Sequence, residues 1–368
     1  MAVTTSLTSL DDTLKRLLEG LEAVPARELP IGETLGRISA GVTAPGPLPA
    51  GTVAMIDGWA VCSLDIVGAS SYSPVALAVP PVWIECGQSL PDGCDSVIEP
   101  HAVDQQGNLF QVVAEARPGQ GARRTGDEIA AGALIIKSGQ AIRPLDLLIA
   151  ARLELRSWPV RVPRLQLVDV AHEDGQSSTA QYIAHRADQA GAAVARADAE
   201  RTVQTIAAAL NADADLIVTI GGTGAGKTDV TVDALQSAGI PAVHGIAMMP
   251  GRTAAIGRKG NVPVIALPGT LEDALAGWWT LALPVLDHLT ARQRLPTARP
   301  LARKIASAPG IADVVLLARE EEAWLPLTVG ELPLRALARA DAWMLVPGSS
   351  EGFPAGALCH AYSLGGDI

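Results

Sequence analysis

Aromatic side chains are scarce in this 368-residue chain: it has two Phe and three Tyr, and all aromatics together make up 3% of its residues. So few stacking surfaces argue against a binder of single-stranded nucleic acid. Cations are outnumbered, with 28 Lys and Arg against 39 Asp and Glu, and the net charge is −11. A nucleic acid or an anionic membrane is therefore a poor partner. The four cysteines (Cys62, Cys86, Cys94, Cys359) form no CxxC pair, and the six histidines follow no ligand spacing. That argues against a zinc site or a disulfide framework. No apolar run reaches membrane-spanning length; Trp278–Leu286 is short and contains Pro284. The opening Met1–Ser6 has neither the basic start nor the apolar stretch of a secretory leader. The expectation is a soluble, cytoplasmic protein.

What the chain does have is apolar mass, 48% of its residues, at a length sufficient for two or more domains. Residues 9–24 read as an amphipathic helix, with Ser9 as N-cap, Leu10, Leu14, Leu17, Leu18 and Leu21 on one face, and Pro25 as the stop. From about residue 50 to 118, short β-rich runs alternate with turn residues. This region is acidic, and Arg117 is its one Lys or Arg, so it has little to hold a polyanion with. Arg123 and Arg124 follow, and then a helix-like stretch at Pro144–Leu153.

Beyond residue 160, strands alternate with helices. The expected strands are Arg164–Val170, Ala192–Arg196, Asp215–Ile220, Ala242–Ala247 and Val262–Leu267. The expected helices are Ser178–Ala190, Glu200–Leu210, Asp229–Ala238 and Leu271–Leu289. That order predicts a doubly wound, mostly parallel α/β sheet with ligands at the carboxyl ends of its strands. The fold class is therefore α/β and β, multidomain. Four parts are expected: an extended N-terminal and linker domain (1–43 plus 119–158), an inserted β-rich module (44–118), an α/β domain (159–295) and a small C-terminal β module (296–368).

The strongest local signal is Gly221-Gly222-Thr223-Gly224-Ala225-Gly226-Lys227-Thr228-Asp229, between an apolar strand and a helix. Glycines let backbone approach a ligand, and free amides at such a turn favour phosphate. Three readings compete. The letters satisfy the P-loop pattern G-x-x-x-x-G-K-[ST]. A P-loop NTPase, however, also needs a Mg²⁺-holding Asp on a later strand, and the strand that ends in one, Leu165–Asp169, lies upstream. A glycine turn used only for tight packing is the second reading. The third is a phosphate site of another family. Lys227 stands open between surface residue and phosphate contact. Asp229 suits both a helix N-cap and a ligand role, and Asp57, before Gly58, both a turn and a site.

Several separated segments carry a resemblance. Thr52–Val61, containing Met55-Ile56-Asp57-Gly58-Trp59, is similar to an S-A-M-D-G-Y-A-V signature. Leu90–Val97 is similar to P-x-G-x-D-x-V, and Gly119–Asp127 to G-x-N-x-R-x-x-G-E-D. The glycine loop, then Met249-Pro250-Gly251-Arg252, Ile256-Gly257 and Leu267-Pro268-Gly269 follow the order G-G-x-S-x-G-x-x-D, K-P-G-K-P, F-G, L-P-G-N-P. Ala340–Gly356 is similar to a C-terminal β module. Together these resemble the molybdopterin molybdenumtransferase family, the MoeA proteins and the gephyrin E domain. The GGTG…DVT wording also resembles the related MogA-type adenylyltransferases.

The resemblance implies that adenylylated molybdopterin and molybdate are substrates, that Mg²⁺ assists, and that AMP is released as molybdenum joins the dithiolene. It assigns residues 159–295 as the molybdopterin-binding domain. It implies catalytic roles for Asp57, Asp127, Glu173 and Asp229, with Asp57, Asp127 and Asp229 as metal ligands. Carboxylates are the ligands that a hard cation takes. Gly221, Gly222, Thr223, Gly224 and Gly226 would cradle phosphate; Pro250, Gly251, Arg252, Pro268 and Gly269 would complete the pocket. A homodimer is implied, with a MogA-type enzyme or a client molybdoenzyme as further partners. The pattern departs at Cys86, Met249, Thr253, Thr270 and Leu271, and it loses cations there. A non-catalytic carrier of molybdopterin or finished cofactor is the alternative function.

Overall fold

The computed structural model describes residues 7–170 and 177–365. Two compact units emerge. One comprises Met1–Gly41, Lys137–Leu147 and Arg156–Ile368, the other Val42–Ile136 and Leu148–Leu155.

The larger unit is organised by a six-stranded sheet of β1 (Arg164–Val170), β2 (Ala193–Ala199), β3 (Leu216–Ile220), β4 (Val243–His244), β5 (Ala255–Lys259) and β6 (Val262–Leu267), in the order β2-β1-β3-β6-β5-β4. β2, β1, β3 and β6 run parallel, while β5 and β4 are antiparallel additions at one side. β1 and β3 are apolar almost without interruption because both of their faces are covered. Leu165, Leu167, Leu216, Val218 and Ile220 pack in one core, with α1 (Ser178–Gln189) and the long C-terminal helix. Val168, Val170 and Ile217 pack in the other, with α2 (Val203–Ala209) and α3 (Thr231–Ser237). The long helix is α4 (Leu271–Gly277), continuing through a π turn (Trp278–Ala282) into α5 (Leu283–Thr290). Helices on both faces make the doubly wound arrangement that the sequence order predicts.

Two expected elements differ most, while others shift by up to three residues at an end. The expected strand Ala242–Ala247 is divided at Gly245. Val243–His244 stays with β5, whereas Ile246–Met249 joins a second sheet, parallel to Thr8–Ser9 and to Ala312–Glu320. The amphipathic helix near the N-terminus is shorter than expected, Leu10–Leu18, although Ser9 does cap it by accepting from Asp12 N–H at 3.1 Å.

The smaller unit is mostly short antiparallel pairs, with 3-10 turns at Ser63–Ile66 and Pro100–Ala102 and the helical residues 148–152. Gly58–Val61 is the middle strand between Val82–Ile84 and Ser96–Ile98. Gly58 is there because of space: a Cβ would lie 2.1 Å from the carbonyl oxygen of Ile98. Gly58→Ala should therefore destabilise the protein by about 1–3 kcal/mol through overpacking. The check is the urea unfolding midpoint, and an unchanged midpoint would refute the contact.

In the larger unit, Asp146 (1% exposed) accepts from Arg143 N–H at 2.8 Å and from its guanidinium at 2.9 Å. The Arg143 side-chain hydrogen bond, outweighing the effect of burial, holds the Asp146 carboxyl below its ordinary value. A carboxyl lowered by folding stabilises the native state above its unfolded pKa, and that contribution fades as pH drops through the lowered value. Asp146→Asn should accordingly lower the thermal midpoint at neutral pH. Its difference from wild type should shrink in strong acid; a pH-independent difference would contradict this.

Candidate functional site

The carboxyl edge of the sheet brings together most of the glycine-rich segments. β3 ends at Ile220, and Gly221 N–H donates to Leu267 O at 2.9 Å, so the pairing with β6 runs one residue past the strand. Gly221 (φ 104°) and Gly222 (φ 71°) then turn the chain through left-handed conformations that other residues avoid. Thr231, the first residue of α3, closes the neck of the loop. Its hydroxyl donates to Gly221 O at 2.7 Å and its amide to Gly222 O at 2.9 Å. A Cβ on Gly222 would lie 2.5 Å from that hydroxyl oxygen.

Asp229 folds back over the far half of the loop. Its Oδ2 accepts from Gly226 N–H at 2.9 Å, and a Cβ on Gly224 would lie 2.5 Å from the same oxygen. The N-cap of α3 is Val230, with no side-chain bond, so Asp229 is not the helix cap. Its carboxylate serves the loop instead. The amides of Gly222, Thr223, Gly224 and Ala225 make no hydrogen bond among the described residues. Thr223, 1% exposed, adds a buried hydroxyl without a partner. Bare amides beside an orphaned hydroxyl fit a phosphate, which supplies acceptors only.

The P-loop reading does not survive this geometry. In a P-loop the GK[ST] triplet leads straight into the helix. Here Gly226-Lys227-Thr228 lies in irregular backbone, and α3 begins at Thr231. Asp169 does sit opposite Ile220 in the β1–β3 register, where its Oδ2 accepts from Ser177 N–H at 3.1 Å.

Two further loops share this edge. Pro268 and Gly269 follow β6, and Met249–Arg252 precedes β5. They are joined by Asp273, a residue absent from the sequence-based set. Its Oδ1 accepts from Gly251 N–H at 2.6 Å and its Oδ2 from the Thr270 hydroxyl. The signal for it was a Thr-x-x-Asp pattern at a helix start, a variant of the capping box; the structure extends it to a neighbouring loop. Lys227 and Arg252 are exposed, and neither has an ion pair or side-chain hydrogen bond among the described residues. Met249, 38% exposed, takes a place where a cation was expected.

Asp57 and Asp127 both belong to the smaller unit. Asp57 Oδ1 accepts from Cys86 N–H and Asp127 Oδ2 from Arg124 N–H, each at 2.8 Å. Val53–Ala54 pairs antiparallel with Ala122–Arg123, so the two aspartates lie beyond opposite ends of that pair. Glu173 lies outside the described residues. Among the described residues no three His, Cys, Asp or Glu side chains are grouped to hold a metal ion.

Asp273→Ala should release Gly251. A bond to a charged acceptor is worth roughly 1.5–3 kcal/mol, so hydrogen exchange at the Gly251 amide should quicken while the Gly221 amide stays protected. Equal change at both amides would show general loosening instead of a local clamp.

Comparison with known proteins bears on these features. A family model described as the MoeA N-terminal region, domains I and II, matches residues 8–153, and one described as a probable molybdopterin binding domain matches residues 148–288. A molybdopterin molybdenumtransferase 2 of Mycobacterium tuberculosis is 30% identical over 320 residues, covering 76% of this chain and 78% of that protein. A putative molybdopterin biosynthesis protein of Methanocaldococcus jannaschii is 25% identical over 376 residues, covering 92% of each. In fold, the chain is similar to the crystal structure of a molybdopterin biosynthesis MoeA protein from Pyrococcus horikoshii. The TM-score is 0.81 at 22% identity, covering 97% of this chain and 99% of that one. No helix among the described residues is long and apolar enough to cross a membrane.

Proposed function

This chain belongs to the molybdopterin molybdenumtransferase family, whose members act in molybdenum cofactor biosynthesis, and we propose that it inserts molybdate into adenylylated molybdopterin with release of AMP. The observation that carries this reading is the run of four amides, Gly222 to Ala225, unbonded among the described residues, with exposed Lys227 in the same loop and exposed Arg252 on a loop at the same edge of the sheet. The phosphate of the pterin would take those amides, and charge-assisted bonds from Lys227 or Arg252 would hold its remaining oxygens. Arg252 brings a planar fork suited to two oxygens at once. Pro250, Gly251, Pro268 and Gly269 would wall the pocket, with Asp273 fixing their spacing. Asp57, Asp127, Glu173 and Asp229 are proposed as the acidic groups of the reaction.

Asp57, Asp127 and Asp229 would supply the carboxylates for Mg²⁺. Mg²⁺ characteristically binds through one or two carboxylates together with substrate phosphates, so the proposed ion is one that enters with the substrate. The proposed working form is a cytoplasmic homodimer that receives its substrate from a MogA-type enzyme and serves a client molybdoenzyme. The alternative, a non-catalytic carrier, draws on the cation lost at Met249, which leaves binding groups while thinning those for turnover.

Purified protein given adenylylated molybdopterin, Mg²⁺ and molybdate should release AMP only when molybdate is present. Tight binding without AMP would favour the carrier. Asp57→Ala should cut AMP release by about 10²-fold or more, in the range of a lost acid–base group, while ligand affinity changes little. Undiminished turnover would remove Asp57 from the reaction.

A further inference from the structure

His244 was singled out by no motif, yet it reaches the centre of the glycine loop. It ends β4, the outermost strand beside β5, three positions along the sheet from β3. At the usual strand spacing that is about 14 Å, so the loop leaving β3 extends across the ends of β6 and β5. His244 Nε2 lies 2.9 Å from Thr223 O. A carbonyl oxygen can only accept, so the ring must carry its proton on Nε2 and donate.

We propose that His244 is a positioning residue for the phosphate site: by holding Thr223 O, it turns the Gly224 N–H toward the bound anion. The argument is the geometry of one peptide. The Thr223–Gly224 bond is trans, and in a planar trans peptide the carbonyl and the following N–H point in opposite directions. A carbonyl fixed on His244 therefore directs the Gly224 amide away from the imidazole, and that amide has no other partner among the described residues. Gly224 cannot drift freely, because the Asp229 carboxylate lies against its Cα on the side where a Cβ would project. The hydrogen bond also polarises the peptide and strengthens the N–H as a donor, the cooperativity expected of linked hydrogen bonds. A residue outside the loop thus sets which way the Thr223–Gly224 peptide faces. The proposal rests on the phosphate reading of the loop and adds a residue to it.

The test is calorimetric titration of the full-length protein with inorganic pyrophosphate. Wild type should bind, and Gly224→Ala should abolish binding by displacing Asp229. His244→Ala should weaken binding roughly fivefold to tenfold, the effect of one neutral hydrogen bond, while the protein keeps a single cooperative thermal transition. His244→Gln keeps an N–H donor at a similar reach and should restore most of the affinity. If His244→Ala binds as tightly as wild type while Gly224→Ala does not bind, the positioning role is overturned and the phosphate reading stands. Failure of His244→Gln to recover any affinity overturns the hydrogen bond as the cause. Wild-type binding by Gly224→Ala would remove the phosphate reading and this proposal with it.

Discussion

Thr231 holds both carbonyls of the Gly221-Gly222 turn, one through its hydroxyl and one through its amide, and the rest of the site follows from that double bond. It ties the first residue of α3 to the last turn of β3, so the intervening residues must bulge outward as a closed loop. With the neck fixed, the chain cannot spend its amides on a regular helix start. Gly222 and Thr223 are buried, but their N–H groups find no acceptor among the described residues. An unpaired buried donor costs about 1–3 kcal/mol. Such a loop persists because the cores on both faces of the sheet over-determine the positions of β3 and α3. Strain kept at a binding edge and offset by packing elsewhere is how a preorganised site is maintained.

Charge sets the second constraint. The chain as a whole is acidic, and the loop itself already holds an anion of its own, the Asp229 carboxylate on Gly226 N–H. A phosphate on the neighbouring amides would lie close to that carboxylate, and two anions on one short loop repel. Under the proposed function, Lys227, inside the same loop, and Arg252, on the loop before β5, would be the chain's means of relieving that repulsion. Both are exposed and uncommitted to other residues among those described. The acidic background makes these two cations more consequential than they would be on a basic surface. In the proposed site it would also give selectivity, since an anion that could not reach both the amides and a cation would meet an acidic background.

The sequence showed where the strands and the glycine loop would be, because those signals are local. β1 and β6 have the bounds that their apolar runs predict, and the loop lies where strand gives way to helix. The limits of sequence reading came from pairings between distant residues. Nothing local in Ala242–Ala247 tells that the chain changes sheets at Gly245, since both halves are equally strand-like. Asp229 has the composition of a helix cap, and only the seating of Thr231 against the Gly221-Gly222 turn moves the helix start past it. His244 and Asp273 act on loops about twenty residues away in the chain, so no spacing rule would single out His244, and the Thr-x-x-Asp pattern points to Asp273 only as a helix-start residue and not to its tie to Gly251. Asp57 and Asp127 sit in recognisable motifs, yet their placement at opposite ends of one strand pair depends on register, which a motif does not encode.

The altered segment Thr270-Leu271-Glu272-Asp273 shows how a departure from a family pattern can be structural instead of degenerative. The pattern places a proline at the second of these positions, where a helix needs no N–H, and Leu271 gives up that local rigidity. What replaces it is a set of longer-range ties. Asp273 accepts from Thr270 and from Gly251, and Glu272 Oε2 accepts from the buried Leu332 N–H at 3.0 Å. Adjacent residues of one helical turn thus anchor two different parts of the same unit, one the loop carrying Arg252 and the other a segment of the C-terminal region. Where the pattern would have a ring within the backbone, this chain has carboxylates bonded to neighbouring amides. A decaying site loses partners for its polar groups; here both carboxylates that follow the altered positions have one, and the loop that carries Arg252 is held directly by Asp273.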